Sequence, residues 1–384
     1  MLNDLKLSHI TAGFVAVLVG YTSSVSIIFQ AAESAGANLA QINSWLLVLG
    51  VGMGLTTLSL SLFYKVPYLT AWSTPGAALL VTGLYGVSIS EATGAFIVCG
   101  LLILLSGLTG WFEKISQIIP KPISAAMLAG VLFKFGSEIF FSLESDLILV
   151  SVMGLSYLIG KVFMPRYTIP LVLLVGILLS SYLGLFITAG ITFQLANPVF
   201  VSPTFTFSTL LSVALPLFVV TMSSQNLPGI ATLHASGYNP PISPAISVTG
   251  FASVLLAPFG GFAFNLAAIT AAICQGSEAD ENKQTRYLAA VSAGIFYILL
   301  GLLGATVVAL FAASPKPLVL AIAGFALLGT IGNSLSMALK EESNREAAIV
   351  TFLMTASGIS LFQIGSAFWG LVVGILFYHV LKPR

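Results

Sequence analysis

Thr70-Ala71-Trp72-Ser73-Thr74-Pro75-Gly76 stands inside an apolar run, residues 68–85, whose length and composition otherwise suit a membrane helix. Proline has no amide hydrogen and is accepted at the first turn of a helix but not in its interior. The run is therefore expected to be broken, with Pro67 before it, an extended piece over 70–74, and a half-helix starting at Pro75. Run 260–275 repeats the arrangement. Ala257-Pro258-Phe259-Gly260-Gly261 leads into Phe262-Ala263-Phe264-Asn265, after which 266–273 reads as a short helix. Non-helical backbone at membrane depth is tolerated only where protein or a wet cavity satisfies its polar groups. Two such breaks mark a place where something other than lipid is accommodated.

The rest of the chain supplies the membrane setting. Of 384 residues, 57% are hydrophobic and 7% charged, against about 25% charged in a soluble domain. Apolar runs separated by Pro, Gly or charge fall at 10–30, 44–64, 68–85, 91–111, 123–140, 147–161 and 168–187. A second set falls at 208–233, 242–257, 260–275, 287–312, 318–339, 347–361 and 365–381. The start is expected to be a retained first span, since no small-residue cleavage site follows it. Short positively charged loops stay cytoplasmic. With both termini inside, that side receives Lys6, Lys65, Lys114, Lys121, Lys161, Arg166, Lys283, Arg286, Lys340, Arg345, Lys382 and Arg384. Of the remaining two basic residues, Lys316 falls in an outer loop and Lys134 within the fifth run.

Fourteen runs form two sets of seven, so the second set is expected to be inverted relative to the first. Faint echoes accompany the arithmetic: Thr22-Ser23-Ser24 against Met222-Ser223-Ser224, and Ala71-Trp72-Ser73 against Ala263-Phe264-Asn265. The expected fold is an all-α polytopic membrane protein of 14 segments in two inverted repeats, in the bacterial inner membrane. The net charge of +1 leaves no basic stripe for nucleic acid. Cys99 and Cys274 have no metal-like or paired spacing and read as packing residues, so no metal and no cofactor is expected. His9 and His379 at span ends and His234 in a loop read as interfacial.

Polar side chains in the first and eighth runs are costly in lipid and are expected to face inward: Tyr21, Ser23, Ser24, Ser223, Ser224, Gln225 and Asn226. Their alternative use is hydrogen bonding between helices. With Ser73 and Asn265 from the two broken runs they form the candidate substrate site. Trp72 and Phe264 are its candidates for stacking on an aromatic solute or, alternatively, ordinary packing.

Three stretches carry a resemblance to a known family. Ala71-Trp72-Ser73-Thr74-Pro75-Gly76-Ala77-Ala78, Ser224-Gln225-Asn226-Leu227-Pro228-Gly229, and residues 258–270 from Pro258 through Asn265 to Thr270 resemble the benzoate/proton symporter (BenE) family, over essentially the whole chain. That family is similar in architecture to the uracil and xanthine permeases and to anion transporters of the seven-plus-seven type. The resemblance implies a core domain of 1–111 and 191–312 and a gate domain of 112–190 and 313–384. It also implies elevator-like movement between them, a short strand pair from the third and tenth runs, and a homodimer through the gate domain. The implied cargo is benzoate or a related aromatic acid, imported with a proton.

Nucleobase permeases of this architecture place carboxylates on the eighth and tenth spans, where this sequence has Ser223 or Ser224 and Asn265. A neutral pocket rich in donors, with half-helix N-termini, is expected to suit an anion. The departure leaves the proton without an evident carrier. Glu33 ends the first run, and Glu138 lies deep in the fifth, one turn after Lys134. Lys134 and Glu138 form a structural pair at the domain interface, or Lys134 is a counter-charge or Glu138 or Glu33 a proton site, or the substrate carboxyl itself brings the proton; the sequence leaves the three open. No Gly-rich phosphate loop for an ATP-driven pump occurs. A passive anion channel, or a carrier of another small organic anion or a nucleobase-like solute, is the competing class, and the residue clusters of an intramembrane enzyme are absent.

Overall fold

The computed structural model describes residues 5–111, 120–186, 194–267, 269–276, 279–359, 361 and 366–381. Lys114, Lys382 and Arg384, assigned to the cytoplasmic side from sequence, lie outside the described residues. The first half holds α1 (Leu7–Ser34), α2 (Leu39–Tyr64), β1 (Thr70–Ala71), α3 (Thr74–Gly83), α4 (Ile89–Leu108), α5 (Lys121–Ser145), α6 (Leu147–Phe163) and α7 (Thr168–Tyr182). The second half holds α8 (Phe207–His234), α9 (Ile242–Leu256), β2 (Asn265–Leu266), α10 (Ile269–Gln275), α11 (Tyr287–Leu302), α12 (Gly304–Ala313), α13 (Lys316–Ala338), α14 (Arg345–Ala356) and α15 (Ser366–Val380).

Capping chemistry sets several helix starts. Asn38 Oδ1 accepts from the Gln41 amide at 3.0 Å while the Gln41 side chain accepts from the Asn38 amide at 2.9 Å, which opens α2. Ser88 and Glu91 do the same for α4. Ser73 Oγ accepts from the Gly76 amide at 3.0 Å, and Pro75 sits in the first turn of α3, so this half-helix begins where the sequence placed it.

Among the described residues, six helices are long and apolar enough to cross a membrane, and eight if each of two bent pairs counts as one span. The protein is a multi-pass, mostly helical membrane protein. One bent pair is α1, which turns by 41° around residue 23; the other is α11 with α12, which turns by 65°. The second bend corrects the expectation of one unbroken helix over 287–312. The chain segment between the two sequence halves intervenes there: the Ala196 amide donates to the Leu302 carbonyl at 3.0 Å and so closes the end of α11. In the tenth run the helix starts at Ile269 rather than 266, because Leu266 is held in the strand. In the thirteenth, α14 ends at Ala356, short of the expected 361.

That connecting segment is a belt. Besides Ala196, Val199 donates to Ser44 Oγ at 2.8 Å, Val201 to the Pro258 carbonyl at 2.7 Å, and Thr204 to the Ser90 carbonyl at 2.9 Å. Its backbone is thereby fastened to the ends of α2, α4, α9 and α11.

The most extensive helix packing joins α5 to α13, α2 to α11, and α4 to α9, with α6 against α7 and α14 against α15. One large buried cluster runs from α1 through Trp45, Phe96 and Phe262 to α11. A separate cluster holds Leu149, Val150 and Met153 of α6, Val172 of α7, and Leu318, Ile322 and Phe325 of α13.

Candidate functional site

At the centre β1 and β2 pair antiparallel, with Thr70 opposite Leu266 and Ala71 opposite Asn265. Two strands of two residues each cannot satisfy a buried backbone by themselves, so side chains from the neighbouring helices complete the job. On β1, Thr57 Oγ1 accepts from the Thr70 amide at 3.0 Å, and Thr70 Oγ1 lies 2.7 Å from both Thr56 Oγ1 and Thr57 Oγ1 on α2. The Trp72 amide meets Met53 Sδ at 3.1 Å. On the other strand, the Phe264 amide donates to Ser253 Oγ of α9 at 3.0 Å, and the Leu266 amide donates to Asn226 Oδ1 of α8 at 2.9 Å. The Ala267 amide donates to the Leu69 carbonyl at 2.8 Å.

Close approach of α8 to β2 depends on Gly229, where an added Cβ would fall 2.7 Å from the Leu266 carbonyl oxygen. The same helix departs from α geometry twice, at Leu210–Ala214 and Met222–Asn226, where Leu215 and Leu227 donate five residues back, to Leu210 and Met222. Pro216 and Pro228 follow these π-turns. Each lacks the amide hydrogen that an α-helix would send to the residue four before it, and a π-turn absorbs the mismatch. The second turn holds Ser223, Ser224, Gln225 and Asn226 together, so the polar run on α8 is also its geometric irregularity.

The structure joins Tyr21, Ser24 and Trp72 directly. Trp72 Nε1 donates to Ser24 Oγ at 2.9 Å, and the Tyr21 and Trp72 ring centroids lie 5.0 Å apart at 55°. Asn226, Asn265 and Ser73 are fully buried beside the strands. Asn226 Nδ2 reaches Met222 Sδ at 3.2 Å, and Asn265 Nδ2 donates to the Ala263 carbonyl at 2.9 Å. Ser223 Oγ donates to the Val219 carbonyl at 2.7 Å, Ser224 lies beside it, and both are half-buried, as is Gln225. Phe264 is not brought to the Tyr21–Trp72 pair. Its ring lies over Gly52 of α2, where an added Cβ would fall 2.3 Å from its Cζ, on the strand face opposite Asn265.

Two buried oxygens here have no hydrogen-bond partner: the Tyr21 hydroxyl and Asn265 Oδ1. Thr221 Oγ1, one turn before Gln225 on α8, and Ser26 Oγ on α1 share that condition. Thr221, which directly precedes the π-turn, was not singled out from sequence.

The charged candidates lie elsewhere. Glu33 is exposed at the end of α1. Lys134 is exposed and Glu138 half-buried on α5, and the expected pair does not form: no ion pair joins them among the described residues. A Lys one turn before a Glu is the less favourable order for such a pair on a helix.

The chain matches the family model described as BenE, benzoate membrane transport protein, over residues 3–380. It is 51% identical over 371 residues to the inner membrane protein YdcO of Escherichia coli (strain K12), covering 97% of this chain and 95% of that protein. It is 42% identical over 382 residues to the benzoate membrane transport protein of Acinetobacter baylyi, covering 99% and 97%. Among solved structures, SLC26A9 superposes with a TM-score of 0.62 at 13% identity, over 96% of this chain and 65% of that one, so the chain spans about two thirds of its length. The transmembrane domain of the cyanobacterial bicarbonate transporter BicA superposes with a TM-score of 0.58 at 13% identity, over 96% and 97%. These last two likenesses are of fold.

Proposed function

The chain belongs to the BenE family of benzoate membrane transport proteins, which are transporters and not enzymes, and from that premise we propose that it is a secondary carrier importing benzoate or a related aromatic carboxylate together with a proton. The observation that carries this reading is the buried strand pair, braced by α2, α8 and α9, with unpartnered oxygens on Tyr21 and Asn265. The expense of a broken backbone in a membrane is met here by a dedicated set of side chains, which a purely structural helix bundle does not require. The substrate subsite comprises Tyr21, Ser24, Trp72, Ser73, Ser223, Ser224, Gln225, Asn226 and Asn265, in which Trp72 and Tyr21 offer the aromatic surface. Phe264 supports β2 from behind.

The helix pairing supports a seven-plus-seven inverted repeat. Counting along the fourteen runs, α2–α11 joins runs two and eleven, and α4–α9 joins four and nine. Adding seven to each member carries the first pair onto the second, maps α5–α13 and β1–β2 onto themselves, and exchanges α6–α7 with α14–α15. The separate cluster of α6, α7 and α13 supports a gate domain over 112–190 and 313–384, whose α5, α14 and α15 pack into the large cluster of the core of 1–111 and 191–312 against which it moves as an elevator. Both termini lie in the cytoplasm in this reading, and the membrane is the bacterial inner membrane.

The test is uptake of labelled benzoate into proteoliposomes under an inward proton gradient. Accumulation above the outside concentration, abolished by collapsing the gradient, is the expected result. Uptake indifferent to the gradient would refute symport, and no uptake at all would refute benzoate as cargo.

A further inference from the structure

The carrier reading leaves open where the proton travels, and the hydrogen-bond inventory of the site bears on it. Residues 20–26, 70–73, 221–229 and 263–267 contain no Asp, Glu, His, Lys or Arg. No group there takes up a proton near neutral pH, and no fixed cation compensates a buried carboxylate, which is costly without a partner.

Three of the donors expected to receive an anion are committed within the protein. Trp72 Nε1 serves Ser24, Asn226 Nδ2 faces Met222 Sδ, and Asn265 Nδ2 serves the Ala263 carbonyl. The start of α3 offers fewer open amides than a half-helix N-terminus could: Pro75 has no amide hydrogen and the Gly76 amide goes to Ser73 Oγ.

Beside the free hydroxyls of Tyr21 and Thr221, one bare acceptor stays free. Asn265 Oδ1 is fully buried and unpartnered. Turning its amide over does not help, since that would set Oδ1 against the Ala263 carbonyl oxygen, and two acceptors repel. An unpaired buried acceptor calls for a donor from the ligand. A carboxylate has none; a carboxylic acid has one.

We propose that the substrate binds and crosses as the neutral carboxylic acid, its O–H donating to Asn265 Oδ1, so that the proton of symport rides on the cargo and no side chain titrates. The Tyr21 hydroxyl, free to donate, is suited to the acid's carbonyl oxygen. No bond to the proton is made or broken in the site: the acid forms in the outer medium, crosses intact and ionises in the cytoplasm. This inference rests on the carrier reading above.

Equilibrium binding to the purified full-length protein tests it, with three ligands measured from pH 5 to 7: benzoate, benzamide (neutral, with an N–H donor) and methyl benzoate (neutral, with none). Aromatic acids with a pKa near ~4 are mostly ionised across this range. The apparent benzoate Kd should therefore rise about tenfold per pH unit. Benzamide should bind with no pH dependence, and methyl benzoate at least tenfold more weakly than benzamide. In Asn265→Val, checked for folding by thermal unfolding, the preference for benzamide over methyl benzoate should vanish. If that variant does not fold, the three-ligand comparison on the unaltered protein still decides. A benzoate Kd flat from pH 5 to 7, or equal binding of the two neutral ligands, overturns the inference. Gradient-driven benzoate uptake alongside such a result would leave the carrier reading standing, whereas neither binding nor uptake of benzoate would remove the carrier reading itself.

Discussion

Asn226→Ala is the sharpest probe of how the strand pair is held. Asn226 Oδ1 is the partner of the buried Leu266 amide at 2.9 Å, and no water competes for that amide in the fully buried environment of Leu266. Deleting one member of such a bond leaves the other desolvated, at a cost of about 1–3 kcal/mol. Converted at tenfold per 1.4 kcal/mol, that is a shift of roughly 5- to 150-fold in the unfolding equilibrium. Asn226→Asp separates the bond from the mere presence of a side chain. Buried among neutral groups, an aspartate binds its proton rather than remain charged, and its carbonyl oxygen still accepts from Leu266. Unfolding in mixed detergent micelles should place Asn226→Ala below the unaltered protein by about that amount and Asn226→Asp near it. Benzoate uptake should follow the same order, because β2 carries Asn265 next to the released amide. Equal stability of Asn226→Ala and the unaltered protein would show that the Leu266 amide does not depend on this side chain, and the bracing argument would fail.

Gly260 has φ of +96°, and a Cβ there would lie 1.8 Å from Trp45 Cδ1. Gly260→Ala should unfold at a lower temperature than Gly36→Ala, whose φ is +71° but whose added Cβ meets nothing within 4 Å. The difference isolates the clash with Trp45, about 1–3 kcal/mol, and equal melting would refute it. A second prediction concerns the N-terminal anchor, where Lys6 and the buried His9 meet Asp280 Oδ2, each at 3.0 Å. Asp280→Asn should raise hydrogen exchange at residues 5–12 several-fold, and unchanged exchange would refute the anchor.

The broken runs were legible because proline has one physical meaning in an apolar segment: Pro75 placed the start of α3 correctly from sequence. Asn226 and Asn265 were legible as amides too costly for lipid. Their uses were not, since nothing in the order of residues says that one amide braces the backbone of the strand bearing the other. The π-turns of α8 escaped notice although Pro216 and Pro228 were in view, because a proline inside a helix can produce a kink, a stop or a π-turn, and packing chooses among them. Which of its two readings Phe264 takes, stacking or packing, was hidden for a similar reason. Alternation along two residues of strand fixes which side chains share a face, and only the position of Gly52 shows which face is the filled one.

The belt of residues 194–206 gives any future measurement of motion a fixed landmark. Its anchors at Ser44, Ser90, Pro258 and Leu302 all belong to elements of the proposed core, so under the elevator proposal a spectroscopic tag at exposed Phe200 should travel with that core. Its distance to a tag on α6 should then change during transport while its distance to one on α4 stays constant, and an unchanged distance to α6 would refute the proposed movement.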